Sequence, residues 1–561
     1  MALAILLGLP SLGQGIAADD LIHRLILLGI WPFPTEPNPI MHLFSFIPGS
    51  TLGTDVLRDL GFLSWTADPE VSATFFRPVS AVTHVLDYQL WPNVFWLQHL
   101  HSLLWYAASC GGAYLCFRQF GVALPLAAFA GLMFTVEDAH GLNVGWLANR
   151  NASVCLVFGV ASMCLHHRWR QESRWPLIVA SVLCFILAMF SAEAGIGALA
   201  YIAAWELVME ERSWPRRLLG LLPYGVALLG WLIIYKHLGH GVQWSDIYVD
   251  PGTQPGRFLL ACFERLPMMM AAQWLQIPID LSNALTLPQR VAFSGLCWVI
   301  TALIFRWIWS LIKDRKEARF WALGMFLSFI PLCAAFPMSR VLTFSGLGAF
   351  ALIAIKLGDW VNGIAEPSRF QRLLFWIHVP CAAALLVAAP LAWFGMLSVM
   401  MPTEQLPRDL TPKDTLIVMQ SHELASASLS LRPLIDGHTD GPIPVAILSS
   451  VFSEMSVTRV AMNALEIRIA DGWNRLPVDR LTRSIDRPWR QGDTVSRSGY
   501  RVQVIELTDD GRPRVARFTF KKPLEDPKHR WFTFKGLDFV EWSPPPMGET
   551  IQLFPIHSQF F

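Results

Sequence analysis

Two adjacent carboxylates, Asp19 and Asp20, follow the first apolar stretch of the chain in "LPSLGQGIAADDLIHR". Such a pair could supply a general base together with a partner that orients a side chain, an acceptor or a divalent ion. A simpler interpretation is that the pair caps a helix from about Leu21 to Ile30, where a carboxylate stabilises the helix by up to about 1 kcal/mol. The sequence alone leaves both interpretations open.

Further polar side chains stand at the ends of apolar runs. Charges near a membrane are costly and by default indicate function, and arginine can bind phosphate through two hydrogen bonds while staying charged. Arg77 could equally be an interfacial arginine that extends to water. His99 and His101 are two residues apart, so on a helix they point in different directions and cannot both bind one metal ion. The candidates that remain are Arg77, Glu137, Asp138, His140, Arg150, Glu193 and Arg340.

Composition predicts the surroundings in which these residues work. Of the 561 residues, 53% are hydrophobic and 16% are charged, and the mean hydropathy is +0.41. These values are typical of a membrane protein with a soluble part attached. The net charge of +1, without a stripe of Lys and Arg, argues against a nucleic-acid partner. All nine cysteines lie between Cys110 and Cys381 without metal-ligand spacing, so they read as core residues.

Apolar runs recur along the first 400 residues, and we expect about eleven membrane spans. Some runs are shorter than the roughly 20 residues that a span needs, so we expect their helices to extend into the flanking residues. The runs lie near 1–17, 94–117, 121–136, 152–167, 176–190, 195–209, 218–238, 290–312, 319–336, 340–357 and 373–400.

The basic loops predict the orientation. "HHRWRQESR", "EERSWPRR", "KDRKEAR" and "PSRFQR" fall in alternate connections, which places them in the cytoplasm. We therefore expect an inner-membrane, multi-pass protein whose 18–93 segment and C-terminal region face the periplasm. The first run could be a signal peptide ending near "GIAADD", but it lacks a positive flank, and we expect it to be retained.

A different composition begins near residue 403. Segments such as "DTLIVMQ", "YRVQVIEL" and "VARFTF" alternate like half-buried strands and are separated by turn residues. The sequence thus predicts a transmembrane domain over 1–402, with its outer loop at 18–93, and a periplasmic β-rich domain over 403–561. We interpret "QSHEL", with His422 and Glu423, as a solvated loop, and neither it nor His438 has the spacing of a catalytic set.

Five short motifs resemble the GT-C class of polytopic glycosyltransferases, in particular its O-mannosyltransferase-like branch. The likeness covers roughly residues 1–360 and rests on the order and spacing of these motifs. They are the acidic pair Asp19-Asp20, Phe76-Arg77-Pro78, the loop from His140 through Trp146 to Arg150, Ser191-Ala192-Glu193, and Arg340 before "VLTFSGLG".

The resemblance implies a sugar donor on a polyprenyl phosphate and a hydroxyl acceptor that attacks the anomeric carbon. It implies Asp19, Asp20 and Glu193 as catalytic residues, and of the two adjacent acids we slightly prefer Asp19 as the base. Substrate binding falls to Arg340 as phosphate anchor, with Arg77, Arg150, His140, Glu137 and Asp138. The family's Lys is Ala192 here, and its His-Pro is Glu137-Asp138, so the donor and acceptor of better-known relatives are not transferred and an inactive relative stays possible.

The sequence therefore predicts a polyprenyl-phosphate-dependent hexosyltransferase in a mainly α, GT-C-like bundle. The acceptor, whether glycan, lipid or protein, and the sugar are left open. No cofactor is indicated, and a divalent cation stays an open alternative. Two other functions compete: a lipid or polysaccharide transporter, which would place its charges at mid-span, and a non-catalytic assembly protein, which would tolerate alanine at Asp19, Asp20 and Arg340.

Overall fold

The computed structural model describes residues 1–30, 37–400, 403–421, 423–450, 454–535 and 538–555. Its first 400 residues are mainly helical. The α-helices are α1 (Ala2–Gly8), α2 (Asp19–Leu27), α3 (Pro39–His42), α4 (Thr51–Asp59), α5 (Pro78–Leu90), α6 (Phe95–Gln119), α7 (Leu124–Val136), α8 (Gly141–Gly145), α9 (Arg150–Glu172), α10 (Trp175–Met189), α11 (Ile196–Val208), α12 (Trp214–His237), α13 (Pro255–Leu275), α14 (Leu287–Asp314), α15 (Lys316–Leu332), α16 (Thr343–Lys356), α17 (Gly358–Val361), α18 (Arg369–Trp376), α19 (Ala382–Met400) and α20 (Glu423–Ile435).

Each of the eleven apolar runs contains at least part of a helix, although the first holds only the seven residues of α1 and a 3₁₀ turn. Four helices in the described ranges are long and apolar enough to cross a membrane: Leu147–Glu172, Trp214–His237, Leu287–Asp314 and a fourth that begins at Arg369. Several others, such as α7, α10 and α16, have only 13, 15 and 14 residues, below the length of a full span. The chain is thus built as a membrane protein, while the count of about eleven spans stays a prediction.

The hydropathy pattern did not predict one of the long helices. Helix α13 has 21 residues and packs against α14, yet none of the predicted apolar runs covers it. It carries Arg265 and Gln273, both buried. These polar side chains lower the local hydropathy, although the protein itself supplies their hydrogen-bond partners.

Helix α16 is the centre of the bundle. Every residue from Thr343 to Ile355 is buried, because α7, α13 and α15 all pack against it. A helix that is apolar on all sides is expected in such a position. Arg340 lies in the 3₁₀ turn directly before α16, which fixes this arginine at one end of the core.

The segment between α1 and α6 folds into short helices and two strands, which a third strand from the connection after α12 completes to a sheet. Strand β2 (Ser72–Thr74) is central and pairs with β1 (Ser45–Pro48) and with β3 (Gly241–Gln243), both antiparallel. The sheet joins residues that are about 170 positions apart in sequence. It therefore ties the loop before α5 to the loop before α13.

The C-terminal region contains two sheets. Six strands follow the order β13-β6-β7-β10-β9-β8, and four follow the order β12-β11-β4-β5. The strands are β4 (Thr415–Ser421), β5 (Val445–Ser450), β6 (Met455–Ala461), β7 (Ala464–Ile469), β8 (Thr494–Ser496), β9 (Tyr500–Leu507), β10 (Pro513–Phe520), β11 (His529–Lys535), β12 (Asp538–Glu541) and β13 (Thr550–Leu553).

The interpretation of "QSHEL" as a solvated loop is wrong for its described residues. Gln420 and Ser421 are buried at the end of β4, and Glu423 begins α20. His422 lies outside the described residues. Because β4 and β5 are parallel, a crossover must join them, and α20 is that crossover.

A tryptophan from the 18–93 segment anchors the C-terminal region on the helical part. Trp65 is 2% exposed and belongs to a hydrophobic core that both C-terminal sheets share, where its ring meets Trp473 at 5.3 Å and Trp489 at 5.5 Å. Ion pairs from Arg497 to Asp55 and from Arg487 to Glu70, at 2.8 and 2.7 Å, surround this contact. The two parts therefore share one hydrophobic core at this junction.

Candidate functional site

Asp20 is a structural acceptor between two segments. Its carboxylate accepts hydrogen bonds from the backbone N–H groups of Ala17, at 3.1 Å, and Ala148, at 2.7 Å. The side chain is 2% exposed, and burial raises its pKa to about 8 against the effect of these two donors. Both carboxylate oxygens are engaged, so Asp20 joins the start of α2 to the turn before α9.

Asp19 has a different environment although it is the next residue. Its side chain is half-buried, and no described group donates a hydrogen bond to it. Burial raises the pKa of Asp19 to about 6, while the charges of Arg340 and Arg77 oppose that rise. Asp20 fixes the turn and leaves the carboxylate of Asp19 available.

Arg77 and Glu193 form an ion pair. The Nε and Nη2 atoms of Arg77 donate to Oε2 of Glu193 at 2.9 and 2.6 Å. The second oxygen of Glu193 is buried without a hydrogen-bond partner among the described residues. The guanidinium of Arg77 also lies over the ring of Phe75, 4.6 Å from its centre. The pair is thus held by protein, and Tyr235 is a further neighbour that interacts with Glu193.

Backbone contacts hold this ion pair in place. Val79 N donates to Phe190 O at 3.1 Å, and the Ser80 hydroxyl donates to Ser191 O at 2.9 Å. Behind Glu193, a Cβ at Gly195 would come within 2.7 Å of the Ala188 backbone, so only glycine fits there. The start of α5 and the turn before α11 therefore meet at a fixed distance.

Arg340 rests on an aromatic ring. Its guanidinium carbon lies 4.7 Å from the centre of the Trp146 ring. In the part of the chain that the structure describes, no side-chain or backbone oxygen accepts a hydrogen bond from this guanidinium. Ser339 beside it is held by Asp280, whose Oδ2 accepts a hydrogen bond from the Ser339 hydroxyl at 2.6 Å. Arg340 is thus a fixed cation whose N–H groups are available.

Arg150 has no such freedom. It is fully buried, its Nη2 lies 2.5 Å from Oδ2 of Asp87, and its Nε donates to the Ser102 hydroxyl at 2.8 Å. Asp87 also accepts from His101 at 2.6 Å. The structure therefore gives Arg150 protein partners and no open face, which does not fit the predicted role in substrate binding.

Glu137, Asp138 and His140 form a separate buried group. Glu137 accepts from Gln273 Nε2 at 3.3 Å and lies 3.8 Å from His378. His140 contacts the carbonyl oxygen of Phe134 at 3.1 Å. Burial and the neighbouring Glu137 raise the pKa of Asp138 to about 7. Among the described residues, no hydrogen bond or ion pair joins this group to Asp19, Arg77 or Arg340.

The structure thus brings together four predicted residues, Asp19, Arg77, Glu193 and Arg340, which interact through their charges. Each stands at or just before the N-terminus of a helix: α2, α5, α11 and α16. Helix N-termini carry partial positive charge, so their convergence favours an anionic ligand.

Two further residues belong to this site. Trp146, which the sequence offered only as part of the motif from His140 to Arg150, supports Arg340. Tyr248 is subject to the charges of all four site residues. No spacing in the sequence pointed to Tyr248, because a loop between β3 and α13 delivers it. In the described ranges, no three His, Cys, Asp or Glu side chains are arranged to hold a metal ion.

No protein-family model matches the chain, and no curated protein matches it. One similar solved structure is ArnT from Cupriavidus metallidurans bound to undecaprenyl phosphate, with 14% identity, 92% of this chain and 96% of that chain covered, and a TM-score of 0.39. Another is the Archaeoglobus fulgidus oligosaccharyltransferase tethered with an acceptor peptide, with 13% identity, 76% and 63% covered, and a TM-score of 0.37. Likenesses at this level do not assign an activity.

Proposed function

We propose that the chain is a GT-C-type membrane glycosyltransferase that moves a sugar from a polyprenyl phosphate to a hydroxyl acceptor at the outer face of the membrane. The observation that carries this proposal is the convergence of Asp19, Arg77, Glu193 and Arg340 at the starts of four helices. Among the described residues, the Asp19 carboxylate and the Arg340 guanidinium have no hydrogen-bond partner there. A carboxylate with no hydrogen-bond donor can act as a general base, and a fixed guanidinium whose N–H groups are unused can bind an anion.

In the proposed step, the sugar passes from the phosphate of the donor to the acceptor hydroxyl. The acceptor hydroxyl oxygen attacks the anomeric carbon, and the bond between that carbon and the phosphate oxygen breaks. The hydroxyl proton passes to the carboxylate of Asp19. The leaving polyprenyl phosphate keeps the electron pair, and Arg340 stabilises the charge that develops on it.

The other residues take supporting roles in this proposal. Asp20 positions Asp19 through its bonds to Ala17 and Ala148. The pair of Arg77 and Glu193 borders the sugar, where the second oxygen of Glu193 can accept from a sugar hydroxyl. We assign no substrate contact to Arg150, because Asp87 and Ser102 already occupy it.

An apolar groove supports a lipid-linked donor. It lies between α1, α8 and α19, and its walls include Leu7, Pro10, Val144, Leu386 and Pro390, with the polar residues Ser11 and Gln14 at one side. The groove lies beside the segment that leads into α2. A polyprenyl chain that lay there would bring its phosphate towards the charged group.

We further propose that residues 1–402 form the catalytic membrane domain and residues 403–561 a periplasmic cover that does no chemistry itself. Helix α20 packs against α2, and Ile435 at its end contacts the cluster of Ile16, Leu21 and Leu147. The C-terminal region thus touches the helix that carries Asp19. The inner-membrane location and the O-mannosyltransferase-like branch belong to this proposal as well.

The test uses the full chain in lipid nanodiscs. We expect it to bind undecaprenyl phosphate, the ligand of the ArnT structure, and to release labelled hexose from undecaprenyl-phosphate hexose when acceptor membranes are added. Asp19→Asn should keep binding and lose release, whereas Arg340→Gln should lose binding. Full release by both variants would contradict the enzymatic proposal and favour an assembly protein, which tolerates changes at these positions.

A further inference from the structure

Tyr248 lies near the charged group, on a loop that is far from it in sequence. Its ring lies between Phe75, at 6.0 Å, and Phe336, at 5.6 Å. The guanidinium of Arg77 rests on the ring of Phe75, and Phe336 stands four residues before Arg340 in the sequence. The ring of Tyr248 therefore bridges the two segments that carry these arginines.

The hydroxyl of Tyr248 has no hydrogen-bond partner among the described residues. The charges of Arg340, Arg77, Asp19 and Glu193 all act on it. Burial raises the pKa of Tyr248 above its ordinary value, so the hydroxyl keeps its proton at neutral pH and can donate a hydrogen bond. A half-buried hydroxyl that has no hydrogen-bond partner among the described residues, and on which the charges of Arg340 and Arg77 act, is suited to an anionic ligand oxygen.

We propose that Tyr248 is a further substrate-contacting residue, whose hydroxyl donates a hydrogen bond to the phosphate of the donor between Arg340 and Arg77. This inference rests on the proposed function. The phosphate then meets two guanidinium groups and one neutral donor. Tyr248 adds no charge, so it contributes orientation as well as affinity.

The loop that carries Tyr248 is held from two sides. Asp246, two residues earlier, accepts from the Ser484 hydroxyl at 2.9 Å and from the backbone N–H of Ile485 at 3.1 Å, both in the C-terminal region. Arg257 also donates to Asp246, at 2.9 Å. These contacts fasten the loop to the C-terminal region directly beside Tyr248.

Arg265 fastens the same loop to the helical part. Its Nη1 donates to the carbonyl oxygens of Ile247, Cys333 and Ala335 at 3.0, 3.1 and 2.9 Å. The last two stand in the connection that leads to Arg340. Tyr248 is therefore placed relative to Arg340 by Arg265, and relative to the C-terminal region by Asp246. We infer that Asp246 is a positioning residue that acts through Tyr248.

The experiment measures equilibrium binding of undecaprenyl phosphate to the full chain in nanodiscs. Tyr248→Phe should weaken binding about tenfold, because it removes one hydrogen bond to a charged group, and its melting temperature should equal that of the wild type. Tyr500→Phe, the same change at a buried tyrosine of the C-terminal region, is the matched control and should bind normally.

A double-mutant cycle tests the positioning role. Asp246→Ala should weaken undecaprenyl phosphate binding to a similar extent. The double variant of Asp246→Ala and Tyr248→Phe should have the same affinity as whichever single variant binds more weakly. Additive losses would overturn the role of Asp246. Wild-type affinity in Tyr248→Phe would overturn the contact while leaving the proposed function intact. If the wild type itself failed to bind undecaprenyl phosphate, the proposed function and this inference would fall together.

Discussion

The carboxylate of Asp20 accepts the backbone N–H of Ala148 across 2.7 Å, although 128 positions separate the two residues. This bond joins the start of α2 to the turn that leads into α9. It gives the two neighbouring acids different tasks, since one is fully engaged by the backbone and the other is not.

We therefore expect Asp20→Ala and Asp19→Ala to have different effects. Loss of Asp20 leaves two buried N–H groups without an acceptor and should lower stability by about 2–4 kcal/mol. Loss of Asp19 should abolish transfer and leave the melting temperature unchanged or higher. Thermal unfolding and hexose release in nanodiscs measure the two effects. Equal destabilisation by both changes would contradict the division of tasks.

The pH dependence of transfer should report Asp19. Because its pKa is raised to about 6, the base is protonated below that pH, and the rate should fall about tenfold per pH unit there and level off above it. An inflection near pH 8 would point to Asp20 instead.

The transfer rate should rise with pH, whereas the contribution of Asp19 to the stability of the fold should fall with pH. The raised pKa means that the folded chain holds the Asp19 proton more tightly than the unfolded chain does. This contribution to stability is present below the ordinary value of 3.8 and is lost as the pH rises through about 6. Asp19→Asn should therefore melt higher than the wild type near neutral pH and equally at about pH 4. A pH-independent difference would contradict this.

Arg340→Lys should weaken undecaprenyl phosphate binding about tenfold or more. A lysine keeps the charge but loses the planar contact with Trp146 and the paired donors. Arg290→Lys is a matched control, since Arg290 pairs with Glu264 at 2.5 Å outside the site. If Arg340→Lys bound and transferred normally, the anchor would pass to Arg77.

Arg150→Ala should destabilise the protein by about 3–5 kcal/mol, because it leaves the carboxylate of Asp87 buried without its partner. The double change Arg150→Met with Asp87→Leu should recover much of that loss. Thermal unfolding of the single and double variants measures both effects. A stable Arg150→Ala protein with weakened ligand binding would instead restore Arg150 to the substrate site.

Trp65→Ala should loosen the C-terminal region from the helical part. The indole fills the space beside Trp473 and Trp489 and donates to Leu448 O at 3.3 Å, so its loss should cost about 3–5 kcal/mol. Limited proteolysis near residue 403 should then release the C-terminal fragment faster. Trp175→Ala, at an exposed tryptophan, should leave the rate unchanged.

The sequence determined the membrane character and the helices. Apolar runs must be helical in lipid because the backbone has to satisfy its own hydrogen bonds, so each run contains at least part of a helix. It also singled out Asp19, Arg77, Glu193 and Arg340, since charges beside apolar runs are costly. The hydropathy pattern did not predict helix α13, because the hydrogen-bond partners that allow Arg265 and Gln273 to be buried come from elsewhere in the chain.

Only the tertiary structure decided how these residues differ in use. Asp19 and Asp20 are the same residue type at adjacent positions, and the distant N–H of Ala148 separates their tasks. Arg150 and Arg340 both precede apolar helices, but only Arg150 meets a buried carboxylate, that of Asp87. Such contacts join residues far apart in sequence, and no local pattern encodes them. The same reason explains why Tyr248 and Trp65 emerged only once the chain was folded.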